Sequence, residues 1–176
     1  GLAEIGVEVV PQGIVVDEHQ RTSVSGIWAV GDVVAGLMLT PVGAYQGQVA
    51  VSDMFGGSGR SSDYAAVPWA IFTDPEIAGA GLTEEDAVQQ GFEVGASVVP
   101  AGNLLRPYYT ARRDEELHGL IKLVYERDSN LVLGLHAAVR GGAELVQGYS
   151  VALRLGVTLE DIAFGHYAFP TAGEGV

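Results

Sequence analysis

The sequence predicts an α+β fold: an antiparallel sheet with helices on one face, preceded by a leading region that ends in a strand and a helix. Three observations predict it. Short apolar runs recur at hairpin-like spacing after residue 64. Two helical stretches follow the last of these runs. A Gly/Ser-rich break, Gly56-Gly57-Ser58-Gly59-Arg60-Ser61-Ser62, separates this region from the leading one.

The leading region, residues 1–56, holds an apolar stretch at Gly13-Ile14-Val15-Val16-Asp17 and a Thr/Ser-rich turn. A strand is expected at Ile27-Trp28-Ala29-Val30, and a helix from Pro41 to Phe55, where Pro41 suits a first turn because its missing N–H is not needed there. Residues 57–63 read as a linker; they lack the GK[ST] ending and preceding strand of a phosphate-binding loop. From 64 to 176 the order is strand Val67–Phe72, a helix opened by Thr83 and acids and closed by Gly91, then strands Phe92–Val99, Gly119–Tyr125 and Leu131–Val139. Gly141-Gly142 precedes a helix with Leu145, Tyr149, Ala152 and Leu153 on one face, and Thr158 starts a short last helix.

Composition narrows the function. The 176 residues are 48% hydrophobic and 18% charged, as a packed globular chain requires. Twenty-two acidic against nine basic residues give a formal charge of −13, which repels polyanions and argues against nucleic acid as a partner. With no cysteine, the chain offers no disulfide, zinc-thiolate site or thiol nucleophile of its own. The four histidines show no ligand spacing, so no metal site is expected. The nearly uncharged run Ile27–Tyr45 is broken by Gly31, Asp32, Gly36, Pro41 and Gly43, so no membrane span is expected, and a cytoplasmic location is. Trp28 and Trp69, each in an apolar run, are expected to be core residues.

The run Thr22-Ser23-Val24-Ser25-Gly26-Ile27-Trp28-Ala29-Val30-Gly31-Asp32 resembles the second flavin-binding motif of the pyridine nucleotide–disulfide oxidoreductases. Its physical logic is that a buried strand delivers an aspartate where a ribityl hydroxyl can donate to it, while a glycine lets the backbone pass close by. The following Val33 to Val42 is similar to the dihydrolipoamide dehydrogenase and glutathione reductase versions. Val67 to Glu84, Leu120 to Val124, Val132 to His136 and Ala143 to Gly148 resemble that family's dimerisation domain. The resemblance covers essentially the whole chain.

The resemblance implies that residues 1–56 hold the last strand and helix of an FAD-binding α/β domain and that 64–176 form the dimerisation domain of a homodimer. It implies FAD contact at Gly31, Asp32, Met38, Leu39, Thr40 and Pro41, where a helix start faces the flavin; Pro41 itself has no N–H to offer. The family moves hydride from NAD(P)H through FAD to a disulfide or another acceptor. Its FAD phosphate loop, cysteine pair and nucleotide domain precede the stretch matched here. The chain is therefore expected to be the C-terminal portion of such an enzyme, with little FAD of its own and no activity when isolated.

One position departs from the pattern. The family's His-Pro-Thr-x-x-Glu, in which the histidine serves the thiols as acid–base catalyst, is here Phe169-Pro170-Thr171-Ala172-Gly173-Glu174. Phenylalanine moves no proton. Glu174 is the remaining catalytic candidate, with a helix-start acid as its other reading, and nearby His166 and Tyr167 are candidate substitutes, His166 with a surface or packing residue as its other reading. Two alternatives stand beside the disulfide reductase: a transhydrogenase-like flavoenzyme without a disulfide, as in relatives with an aromatic residue here, and a non-catalytic dimerisation module.

Overall fold

The computed structural model describes residues 1–57, 59–104 and 118–176. The chain divides into two compact units, Gly1–Tyr64 and Ala65–Val176.

In the first unit, strands β1 (Val9–Val10) and β2 (Gly13–Ile14) form a small antiparallel hairpin. Helix α1 runs over Thr40–Met54, with the proline in its first turn as the sequence predicts. Val42, Gln46, Val49 and Ala50 are its buried positions, the i, i+4, i+7, i+8 stripe of a helix packed along one face. Val7, Ile14, Ala29 and Val34 make a second small core. The run Ile27–Val30 forms less of a ladder than a strand. Trp28 bridges Arg21, and the Ala29 N–H donates to the Gln20 carbonyl at 3.1 Å. The Thr22 N–H also donates to the Ile27 carbonyl at 3.0 Å, so the run is paired over a short stretch, whereas a full strand needs a neighbour along its length.

Residues 59–64 do not hang free of this unit. The Ser62 N–H donates to the Glu18 carbonyl at 2.8 Å, and the Asp63 N–H to the Tyr45 hydroxyl at 2.9 Å. Tyr45 and Tyr64 meet edge to face with ring centres 6.2 Å apart.

The second unit is a five-stranded, wholly antiparallel sheet in the order β3-β4-β7-β6-β5. The strands are β3 (Trp69–Ile71), β4 (Ile77–Gly81), β5 (Val94–Pro100), β6 (Leu120–Glu126) and β7 (Val132–Ala138). Central β7 pairs Leu135 with Ala80 on one side and Leu123 on the other. Strand β4 is the element the sequence conceals. Two glycines in Ile-Ala-Gly-Ala-Gly lower its β-propensity, yet packing demands at least one of them: a Cβ on Gly79 would lie 2.6 Å from His136 Nδ1 and 2.9 Å from the Trp69 ring.

Helix α3 (Gly142–Arg154) lies on β3, β4 and β7, and buries Val146 among Ile121, Leu123, Leu135 and Ala137. Each such aliphatic side chain contributes about 1.5–3 kcal/mol when fully buried. Helices α2 (Glu84–Gln89) and α4 (Leu159–Ala163) open with reciprocal caps. The Thr83 hydroxyl accepts the Asp86 N–H at 3.1 Å, and the Thr158 hydroxyl accepts the Asp161 N–H at 3.2 Å. The Thr158 hydroxyl and N–H donate back to Asp161 and hold its carboxyl below the usual range. Among the described residues, no helix is long and apolar enough to cross a membrane.

Candidate functional site

Of the six residues expected at a cofactor, all lie between the extended run and the start of α1. Gly31 to Val33 form one 3-10 turn, opened by Gly31 at φ +76°. Asp32 is exposed, and its carboxylate has no hydrogen-bond or ion-pair partner among the described residues. Met38 is 70% exposed. Leu39 occupies the N-cap position of α1, Thr40 and Pro41 its first two positions, and no side chain caps that end. An uncapped start of a 15-residue helix leaves N–H groups and a partial positive charge facing outward.

Three features hold the turn against α1. The Gly31 N–H donates to Gln46 Oε1 at 2.6 Å. A Cβ on Gly43 would come within 3.3 Å of the Gly31 Cα, so turn and helix meet closely. From the other side Val34 bridges Ile14, and the Ala35 N–H donates to the Ile14 carbonyl at 3.3 Å. The site therefore brings Gly31 and Asp32 to the helix that carries Leu39, Thr40 and Pro41.

The far end of α1 is tied to the same stretch of chain. Asp53 accepts from Arg21 Nε at 2.7 Å and from the Trp28 indole N–H at 2.9 Å. Hydrogen bonds from Arg21, then Trp28, hold the Asp53 carboxyl below the usual range, and the bond to Asp53 raises the Arg21 guanidinium. Trp28 is half-buried, with its polar edge serving this ion pair.

Sequence reasoning missed Gln20 and Gln46, which are 1% and 4% exposed. Gln46 Nε2 donates to the Tyr64 hydroxyl at 3.0 Å; Gln20 Nε2 donates to the same hydroxyl at 3.2 Å and to Ser62 Oγ at 2.6 Å. The legible signal was a polar residue inside an apolar helical stripe. A cleft of about 340 Å³ opens beside these glutamines, lined also by Val16, Asp17, Val34 and Leu37. None of the six expected cofactor residues lines it.

In the second unit, Phe169 is 72% exposed. Glu174 lies in a 3-10 turn, Ala172–Gly175, where its Oε1 accepts the Thr171 N–H at 2.9 Å. That is the helix-start role read as its other possibility. Ala172 and Val176 pack on the sheet's core. His166 is exposed. Among the described residues, no three His, Asp or Glu side chains gather as metal ligands do.

Comparison with known proteins assigns these parts a common relationship. The family model described as pyridine nucleotide-disulphide oxidoreductase, dimerisation domain, matches residues 67–176. The model described as pyridine nucleotide-disulphide oxidoreductase matches residues 1–47. The chain is 37% identical to the chloroplastic/mitochondrial glutathione reductase of Pisum sativum over 99% of its own length and 31% of the relative's. It is 33% identical to the dihydrolipoyl dehydrogenase of Bacillus subtilis, over 99% of its own length and 36% of the relative's. A crystal structure of LpdA from Mycobacterium tuberculosis superposes with a TM-score of 0.89 at 25% identity, covering 99% of this chain and 38% of that one. The chain thus spans about a third of the length of the curated relatives it matches.

Proposed function

Since the chain belongs to the pyridine nucleotide–disulphide oxidoreductase family, we propose that it serves as the C-terminal part of an FAD-dependent NAD(P)H oxidoreductase. The parent enzyme, on this reading, is a cytoplasmic homodimer paired through residues 64–176, with residues 1–56 completing an FAD-binding domain and 57–63 linking the two. One observation carries the flavin assignment: the Asp32 carboxylate, without a partner among the described residues, and the uncapped start of α1 are fastened to each other through the Gly31–Gln46 hydrogen bond.

The residues fit the group. Asp32 offers an acceptor for a ribityl hydroxyl, and the open N–H groups of α1 offer donors and positive potential for a flavin carbonyl. Exposed Met38 offers an apolar surface beside them. FAD, when bound, supplies a carrier that accepts hydride from NAD(P)H and passes electrons to a disulfide or other acceptor. This chain's residues bind and orient that carrier; the acceptor site needs groups beyond them.

A second reading is favoured by Phe169. An exposed phenylalanine at the position matching the family's histidine has no proton to give, which suits a transhydrogenase-like flavoenzyme without a disulfide. Glu174 stays a catalytic candidate only where another group carries the proton.

An anaerobic NAD(P)H titration of the full-length protein, followed by visible absorption, tests both. A long-wavelength thiolate-to-flavin band with uptake of more than two electrons supports the disulfide reductase. Two-electron bleaching supports the transhydrogenase-like enzyme. A colourless protein that still dimerises refutes both and leaves a non-catalytic dimerisation module.

A further inference from the structure

A glutamine at a helix's core position costs stability unless each polar atom finds a partner. Gln46 occupies such a position, flanked on the buried stripe of α1 by Val42, Val49 and Ala50. Both ends of its amide are used. Oε1 accepts the Gly31 N–H at 2.6 Å, and Nε2 donates to the Tyr64 hydroxyl at 3.0 Å. The Tyr64 oxygen also accepts from Gln20 Nε2, so the Gln46 amide cannot rotate without breaking a shared network.

The geometry assigns Gln46 as a positioning residue for the flavin-contact turn: from within α1 it fixes Gly31, and with it Asp32, relative to that helix's N-terminus. This inference rests on the flavin reading above. Two groups meant to meet one cofactor come from different segments, an exposed turn and a helix start. A spacer carried by the helix itself keeps their separation constant when either moves. Gln46 lies six residues along from Thr40, about 9 Å up the helix axis. Gly43, one turn nearer the start, leaves room for the Gly31 backbone to pass. A valine or leucine at 46 could fill the same volume, but the Gly31 N–H would lose its acceptor. The turn would then settle its amide elsewhere, carrying the Asp32 carboxylate with it.

The test uses Gln46→Leu and Gln46→Glu in the full-length flavoprotein. Glutamate keeps an acceptor for the Gly31 N–H and can accept from the Tyr64 hydroxyl, whereas leucine keeps only bulk. Equilibrium FAD dissociation and the flavin midpoint potential are measured alongside thermal unfolding of the apoprotein. The expected result is FAD affinity lowered about ten- to a hundredfold in Gln46→Leu. Its potential should fall, because the positive helix end no longer faces the flavin squarely. Affinity should largely return in Gln46→Glu, whereas its potential should stay low because the added negative charge opposes the helix end. Wild-type affinity and potential in Gln46→Leu overturn the proposal while leaving the flavin reading intact. Equal losses of affinity in both variants, tracking a lowered apoprotein melting temperature, also overturn it, since the side chain would then be only a core filler. A wild-type parent that binds no FAD overturns the flavin reading and this proposal together.

Discussion

Replacing Gly13 with alanine strikes the candidate flavin turn from a strand that supplies no expected cofactor residue. Gly13 sits at φ +147°, where L side chains are rarely found. A Cβ there would lie 2.6 Å from the Val33 carbonyl oxygen and 2.8 Å from the Ala35 nitrogen, inside the 3.0 Å that real Cβ atoms keep. Both atoms are backbone, so relief requires moving the chain and not a side chain. The backbone conformation costs about 1–3 kcal/mol for a residue with a Cβ, and the overlap about 1–3 kcal/mol more. The expected total, about 2–6 kcal/mol, is a large share of the ~5–15 kcal/mol that stabilises an ordinary domain. The displaced segment carries the Ile14–Val34 bridge and buried Val34, so the turn at Gly31–Val33 loses its outer support. Chemical denaturation of the chain measures the first effect, and flavin content of the purified full-length protein the second. A variant within about 0.5 kcal/mol of wild type that keeps its full complement of FAD would refute the reasoning.

Three other expectations follow from the same geometry. Asp53 is held ionised by Arg21 and Trp28, with its folded value depressed below 3.8. Its contribution is thus present above that value and lost as pH falls through the lower, folded one. Thermal unfolding followed down to about pH 2 should show the wild type losing its advantage over Asp53→Asn in acid; parallel curves would sink the assignment. Leu135→Ala empties a site with no solvent exposure at the centre of the five-stranded sheet, and denaturant titration should show a loss of about 2–5 kcal/mol. Asp32→Ala removes a carboxylate that no described residue uses, so the isolated chain should melt as before while the full-length protein retains less FAD. A flavin content equal to wild type would count against its role.

The second unit was legible because its signals are local. Thr83 and Thr158, each with an acid three residues on, announce caps that form as read, and the turn between β6 and β7 is marked by Asn130 at φ +58°. Strand β4 was hidden because its glycines answer to neighbours elsewhere in the sequence, Gly79 to Trp69 and His136 and Gly81 to Leu133 and Gly134. In the first unit, the order Gly31-Asp32 then Thr40-Pro41 could be read from the chain, but what joins them could not. The joint is a hydrogen bond over fifteen positions, made by a glutamine whose only local mark is a polar side chain in an apolar stripe. Residues 60–64 show the same limit. Their glycine- and serine-rich neighbourhood reads as a connector, while the hydrogen bonds that fasten Ser62 and Asp63 come from Glu18 and Tyr45.

The two candidate regions differ in how complete they are. The turn and helix start of the first unit have their supporting bonds in place, with an acceptor and donors left facing outward. The C-terminal turn has the opposite balance. Glu174 already uses one oxygen on the Thr171 N–H, and the position that matches the family's histidine holds an exposed phenylalanine. Catalysis that needs a proton at this position must draw it from a group other than Phe169. On the proposed reading, this chain keeps the electron carrier's seat while residue 169 offers no proton for thiol chemistry. An acceptor that takes hydride without waiting for a proton from residue 169 is the one such a site serves best.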